Sequence, residues 1–184
     1  FSGLAEETRT FLQALEGAGT PAVARELRRD AAKPEGTGVL AVDRALARPL
    51  PDGEYVKVLH CPPLSDPVRN DSGPLVYRTM YETDSVPAHW SPNIYEADEL
   101  WVPSEFNVRS FQRGGLPSHN LHVLPETLDF DLFAPGAEPW PLQGLRGFTF
   151  LTAFDFTDRK GWDVLLDAWA EAFDPDDDVC LVLK

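Results

Sequence analysis

Phe148-Thr149-Phe150-Leu151-Thr152-Ala153-Phe154 is an apolar run of strand-forming residues. The polar loop Asp155-Phe156-Thr157-Asp158-Arg159-Lys160-Gly161 follows it. After the loop the apolar positions change period: Trp162, Leu165, Leu166, Trp169 and Phe173 recur at the spacing of one helix face. The acidic turn Asp174 to Asp178 then leads into a second apolar run, Val179-Cys180-Leu181-Val182-Leu183-Lys184. Strand, helix and strand in that order predict a crossover joining two parallel strands.

The same alternation extends toward the N terminus. Ser2 is placed to cap a helix whose first turn carries Glu6 and Glu7, where the helix dipole favours acids. Leu4, Phe11, Leu12, Leu15 and Ala18 share a face of that helix, and Gly17, Gly19 and Pro21 end it. A weak strand is expected over 21–27, a loop over 31–38, a short helix over 39–47 and a strand over 55–60. The Pro-, Asp-, Ser- and Gly-rich stretch 62–74 is expected to be a loop. Strands are expected over 75–80, 99–102 and 121–124. A short helix is expected over 87–97, and another opens at Pro103-Ser104 and ends at Gly114-Gly115. Strands that read as buried apolar runs, alternating with helices, predict an α/β fold built on a Rossmann-like, mostly parallel sheet. Residues 134–147 hold three prolines and three glycines without periodicity. The expected organisation is therefore a first domain over 1–135, a linker over 136–147 and the start of a second domain over 148–184. Phe1 is not an initiator Met and the chain stops within a strand, so both ends are expected to be truncations.

Charge and composition narrow the function classes. The 184 residues include 16 Lys and Arg against 30 Asp and Glu, a net charge of −14. A field of that sign repels nucleic-acid backbones, while a small anion can still bind where cations gather locally. The two cysteines, Cys61 and Cys180, form no metal or disulfide pattern, and a cytoplasmic, reducing compartment is expected. No apolar run reaches the roughly 20 residues of a membrane span, and the start does not read as a signal peptide. Peripheral contact with a membrane stays open.

In parallel sheets, ligands sit beyond the carboxyl ends of strands, which directs attention to strand-to-helix loops. Arg159 and Lys160 stand together just before a helix N-terminus, where cations are unfavourable by about 0.3–1 kcal/mol each unless an anion is bound. That placement fits a phosphate or diphosphate site, or ion pairs with Asp155, Asp158 or Asp163, about equally. Ser2-Gly3 fits a phosphate or sugar-hydroxyl loop, or an ordinary helix cap. Glu82, in the loop after strand 75–80, fits a catalytic base or sugar-binding carboxylate, or a solvated loop residue. His119 and His122 lack carboxylate or Cys partners at ligand spacing, so no metal site is expected. Asp129-Phe130-Asp131 and Asp174 to Asp178 contain D-x-D strings that are explained equally well as turns. Cys61 reads as a small buried thiol. Trp162 and Trp169 read as core, and Trp90 as the freer tryptophan.

Several of these segments, in order, resemble family-4-like glycosyltransferases of the GT-B fold. Arg78-Thr79-Met80-Tyr81-Glu82-Thr83-Asp84, Ala97-Asp98-Glu99-Leu100-Trp101-Val102-Pro103-Ser104 and Val123-Leu124-Pro125-Glu126-Thr127-Leu128-Asp129, followed by Phe133 and Pro135, are similar to that family's N-terminal domain. Ser2-Gly3-Leu4-Ala5-Glu6-Glu7-Thr8-Arg9 is similar to the loop and helix after its first strand. Arg159-Lys160-Gly161-Trp162-Asp163-Val164-Leu165-Leu166 is similar to the opening of its donor-binding domain. The resemblance implies transfer of a sugar from a nucleotide-sugar co-substrate to a glycan, lipid or small-molecule acceptor, with retention and without a metal or cofactor. It implies that Lys160, with Arg159 beside it, contacts the donor diphosphate. The chain departs from the family at Ala153-Phe154, where many members have Gly-Arg, and at Tyr81-Glu82, where many have His. The family's paired-glutamate motif comes later in its C-terminal domain and this chain stops before it, so the fragment itself is expected to be inactive. The competing class is a non-catalytic carbohydrate- or nucleotide-binding module. A dinucleotide enzyme is disfavoured because no G-x-G-x-x-G is present.

Overall fold

The computed structural model describes residues 3–25, 39–62, 73–90, 94–136, 138–139 and 141–184. The chain divides into two compact units, Phe1–Ala134 and Pro135–Lys184. Ser2, the loop expected over 31–38 and residues 63–72 of the loop expected over 62–74 lie outside the described residues.

The first unit contains helices α1 (Gly3–Gly17) and α2 (Leu40–Ala47), strands β1 (Lys57–His60), β2 (Leu75–Arg78) and β3 (Glu99–Val102), helix α3 (Glu105–Arg113) and strand β4 (Leu121–Val123). The four strands form one parallel sheet in the order β1-β2-β3-β4. All four residues of β2 are buried, as an inner strand of a parallel sheet requires. Leu59, Leu75, Tyr77, Leu100 and Val102 from the strands meet Val86, Ile94, Phe111 and Leu116 in one core. Leu12 of α1 and Val42 and Ala45 of α2 make a second, smaller core.

Local chemistry fixes the elements around the sheet. Ser104 caps α3 by accepting from the Asn107 backbone N–H at 3.4 Å. The buried face of α3 carries Asn107 and Ser110 beside Phe111. Their polar groups are satisfied locally: Asn107 Nδ2 donates to the Tyr81 carbonyl at 2.8 Å and Ser110 Oγ to the Thr83 carbonyl at 2.6 Å. The loop after β2 is thereby tied to α3. The Cys61 thiol is buried, donates to Tyr77 Oη at 3.4 Å, and is pushed up in pKa by burial. It is the small buried thiol expected.

Three local expectations change. Residues 21–25 are irregular rather than extended in a sheet: Arg48 Nη1 donates to the Ala22 carbonyl at 3.0 Å, and the Ala24 N–H bonds the Ala45 carbonyl at 3.0 Å. The stretch is thus tethered to α2. The helix expected over 87–97 begins as a short 3-10 turn, Ala88–Trp90. Trp90 is half-buried rather than free, edge-on to Tyr81 with ring centroids 4.7 Å apart.

The second unit comprises β5 (Phe148–Thr152), a 3-10 turn (Asp158–Lys160), helix α4 (Trp162–Ala172) and β6 (Val179–Leu183). β5 and β6 pair in parallel, from Phe148 opposite Val179 to Thr152 opposite Leu183. Phe150 meets Trp169 at 5.4 Å and Phe173 at 5.7 Å between centroids, so the helix packs on the sheet through aromatic rings. None of this unit's described residues is buried.

Candidate functional site

The carboxyl ends of β1 and β2 end in charged or titratable residues, His60 and Arg78. An apolar strand that finishes on such a residue places a polar group at the sheet edge where α/β folds bind ligands. Helix α1 lies over that edge and supplies Glu7, Thr8 and Thr10. His60 Nε2 donates to Glu7 Oε2 at 3.0 Å, and His60 Nδ1 meets Thr8 Oγ1 at 2.8 Å. An ionised carboxylate only accepts, so Nε2 carries a proton. Nδ1 can then accept from the Thr8 hydroxyl in neutral imidazole, or donate to it in imidazolium. Both charge states of His60 therefore keep both contacts.

Arg78 is the hub of the cluster. Its Nη2 donates to Glu7 Oε1, its Nη1 donates to the Leu124 carbonyl at 3.1 Å, and Nη2 also reaches the Pro125 carbonyl at 3.3 Å. The Phe11 ring covers the guanidinium at 5.4 Å. One side chain thus joins α1, β2 and the segment after β4. Thr127 reinforces the joint: its hydroxyl donates to Thr10 Oγ1 at 2.6 Å, and the Thr10 hydroxyl can donate on to the Glu7 carbonyl at 3.1 Å. Side chains of Arg78 and Glu7 are only 2% and 7% exposed. Burial acts to raise the Glu7 pKa, but the His60 hydrogen bond and the charges of His60 and Arg78 outweigh it and hold it below the ordinary glutamate range.

Thr8, His60 and Glu7 follow the hydroxyl–imidazole–carboxylate order of a proton relay. Here the carboxylate also pairs with Arg78, which lowers its basicity. The arrangement is suited to holding the imidazole and α1 in place with a fixed negative charge, rather than to drawing a proton off the hydroxyl.

The residues singled out from sequence fall in different surroundings. Gly3 opens α1, and Ser2 lies outside the described residues. Glu82 is exposed in the loop after β2. Arg159 and Lys160 are exposed in the 3-10 turn, whose N–H groups close back on Thr157 and Asp158. Gly161 caps that turn at φ 64°, a left-handed conformation that favours glycine, and its own carbonyl accepts the first bond of α4 from Leu165. A Cβ there would meet only open space. His119 and His122 are both exposed. Among the described residues no group of three His, Cys, Asp or Glu is placed to hold a metal ion. Asp129 Oδ1 accepts from the backbone of Asp131 and Leu132 at 3.0 and 3.1 Å, which makes that D-x-D string a turn. In the second string, Asp177 Oδ2 accepts from the Asp174 N–H at 2.8 Å. A groove of about 540 Å³ runs beside α1, lined by Thr10, Gln13, Glu126, Thr127, Asp129 and Asp131 among others.

The buried Glu7, His60 and Arg78 cluster was not expected as a unit. Its one sequence signal is the placing of His60 and Arg78 at the last position of two apolar strands, with an acid on the first helix available to pair with them. No helix among the described residues is long and apolar enough to cross a membrane. Set against known protein families, curated proteins and solved structures, the chain gives no match.

Proposed function

We propose that this chain is part of a retaining glycosyltransferase of the GT-B type: an acceptor-side Rossmann-like domain followed by the beginning of a donor-binding domain. The observation that carries the proposal is the corner after β5. Two exposed cations, Arg159 and Lys160, stand immediately before the N-terminus of α4, and a Cβ at Gly161 beside them would meet only open space. A nucleoside diphosphate gains negative charge as the bond from the sugar to its leaving oxygen breaks. Fixed cations and helix N–H groups at that position stabilise the developing charge without a metal. Lys160 takes the role of diphosphate contact, with Arg159 beside it. On the acceptor side, the groove beside α1 presents Gln13 and Glu126, side chains that hydrogen-bond hydroxyl groups. Glu82 is the carboxylate assigned to the acceptor or sugar.

The test is steady-state kinetics on the full-length protein with a panel of nucleotide-sugars, together with binding of the free nucleoside diphosphates. Lys160→Ala removes a hydrogen bond to a charged group, worth about 1.5–3 kcal/mol, and turnover per binding event should fall roughly ten- to a hundredfold or slightly more. Arg159→Ala should cost less if Arg159 pairs with Asp155 or Asp158. Unchanged donor affinity and turnover in Lys160→Ala, alongside a lowered melting temperature, would make the lysine structural and the diphosphate assignment wrong.

A further inference from the structure

The loop that leaves β2 is held to α3 on both sides of Glu82. Asn107 Nδ2 donates to the Tyr81 carbonyl at 2.8 Å, and Ser110 Oγ donates to the Thr83 carbonyl at 2.6 Å. Asn107 and Ser110 are 5% and 1% exposed, whereas Glu82 between their two acceptors is exposed. The Asn107 amide is itself oriented: its Oδ1 accepts from the Ser104 hydroxyl at 2.9 Å, which leaves Nδ2 for the loop. Farther along the loop, Val86 is buried against Gly114, where a Cβ would lie 2.2 Å from Val86 Cγ2. Asn107, Ser110 and Gly114 follow at i, i+3 and i+7, one line along α3 and its cap.

Such a line is unusual on a helix face packed into a core. Apolar side chains there would need no partners, while a buried amide and a buried hydroxyl must each be hydrogen-bonded. Both are, and both bond carbonyls that flank one residue. Together they fix the backbone from which the Glu82 side chain extends. We infer that Asn107 and Ser110 are positioning residues for Glu82, holding its carboxylate in one place beyond the carboxyl end of β2. The inference rests on the sugar-transfer reading, in which that carboxylate meets the acceptor or the sugar. A loop without these ties would spread the carboxylate over several places, and a misplacement of about 1 Å can cost about a hundredfold in rate. Both side chains are buried, so each acts through Glu82 rather than on substrate.

Ser110→Ala in the full-length protein tests the role, alone and combined with Glu82→Gln. Amides of residues 82–85 should exchange hydrogen about three- to tenfold faster in Ser110→Ala, with those of β2 and β3 unchanged. The second readout is release of UDP or GDP from whichever UDP- or GDP-hexose the wild type turns over fastest. Its kcat/KM should fall roughly three- to thirtyfold in Ser110→Ala. In the Glu82→Gln background the same substitution should cost less than about twofold, because the group it positions is already gone. Asn107→Asp keeps the size and can still accept from Ser104 but cannot donate to Tyr81, and it should repeat the pattern. Unchanged exchange over 82–85 would show that the two side chains do not hold the loop. No kinetic loss, or equal fractional losses in both backgrounds, would make them structural. Either result overturns the inference while the transfer reading stands. A wild type that releases nucleoside diphosphate from none of these donors refutes the transfer reading itself, and the positioning role falls with it.

Discussion

Replacing Glu7 tests what holds α1 to the sheet, and the structure separates two substitutions. Glu7→Leu removes both carboxylate oxygens. Arg78, with a side chain only 2% exposed, then keeps the Leu124 and Pro125 carbonyls but loses its counter-charge. Breaking one side of a buried ion pair typically costs about 3–5 kcal/mol, most of it the burden of the charge left behind. Glu7→Gln is milder. Its carbonyl oxygen still accepts from Arg78, and its amide can donate to His60 if the imidazole changes tautomer. Nε2 would then accept from the amide, and Nδ1–H would donate to Thr8 Oγ1, the atom it already meets at 2.8 Å. Only the charge is lost, so about 1–2 kcal/mol is expected.

For a unit of this size, each kcal/mol moves the melting temperature by roughly 3–5 °C. Glu7→Leu should therefore melt about 9–25 °C below the wild type and Glu7→Gln about 3–10 °C below it. Far-ultraviolet circular dichroism follows the melt. Tryptophan fluorescence is a useful second probe, because Trp101 lies edge-on to Phe11 of α1 at 6.4 Å. Glu7→Leu combined with Arg78→Met should regain much of the loss, since an apolar pair of similar volume needs no desolvation. If Glu7→Leu and Glu7→Gln both melt with the wild type, the pair does not hold the helix and the account of the cluster fails.

Two further outcomes follow from the same structure. Because the folded-state pKa of Glu7 is lowered, its ionised form favours the fold at pH above the ordinary glutamate value near 4.5, and that contribution is lost as pH falls through the lower, folded value. Denaturant midpoints of the wild type and Glu7→Gln, measured across pH, should therefore converge in acid, and a constant gap would count against the assignment. In the second unit no described residue is buried, and Leu151 and Val164 are 70% and 68% exposed, so amides of β5, α4 and β6 should exchange hydrogen faster than those of β2 and β3. Equal protection measured on monomer would show that the second unit is held more firmly than its exposure implies.

What the sequence made legible divides along range of interaction. The change from strand to helix period between Phe148 and Phe173 needs only neighbours a few positions apart, and β5 and α4 appear where that change puts them. Ser104 and Gly114 bound α3 for the same local reason. The buried cluster depends on partners far apart along the chain: Glu7 and Arg78 are separated by 71 positions, Thr10 and Thr127 by 117. Read locally, Glu7 is only an acid in a helix's first turn, and His60 only the end of a strand beside Cys61. The weak strand expected over 21–27 failed at 21–25 because strand propensity acts only with a neighbouring strand to pair with. Arg48 takes the Ala22 carbonyl instead. Trp90 was read as free because no local period fixed it, while its partner Tyr81 lies in the preceding loop.

The buried cluster also bears on where chemistry can occur in the first unit. A buried carboxylate, imidazole and guanidinium seldom add net stability over well-packed apolar side chains, because each must be taken out of water. What such a set supplies is direction: Arg78 bonds α1 on one side and the Leu124 and Pro125 carbonyls on the other, and sliding the helix by one residue would strand both charges. Leucine and methionine in the same places would tolerate that slip. The cluster therefore spends Glu7, His60 and most of Arg78 on fixing the entry of α1 at the carboxyl edge of the sheet. In the proposed sugar transfer, the acceptor is therefore assigned to the groove beside α1 and to the loop that carries Glu82 rather than to these three side chains.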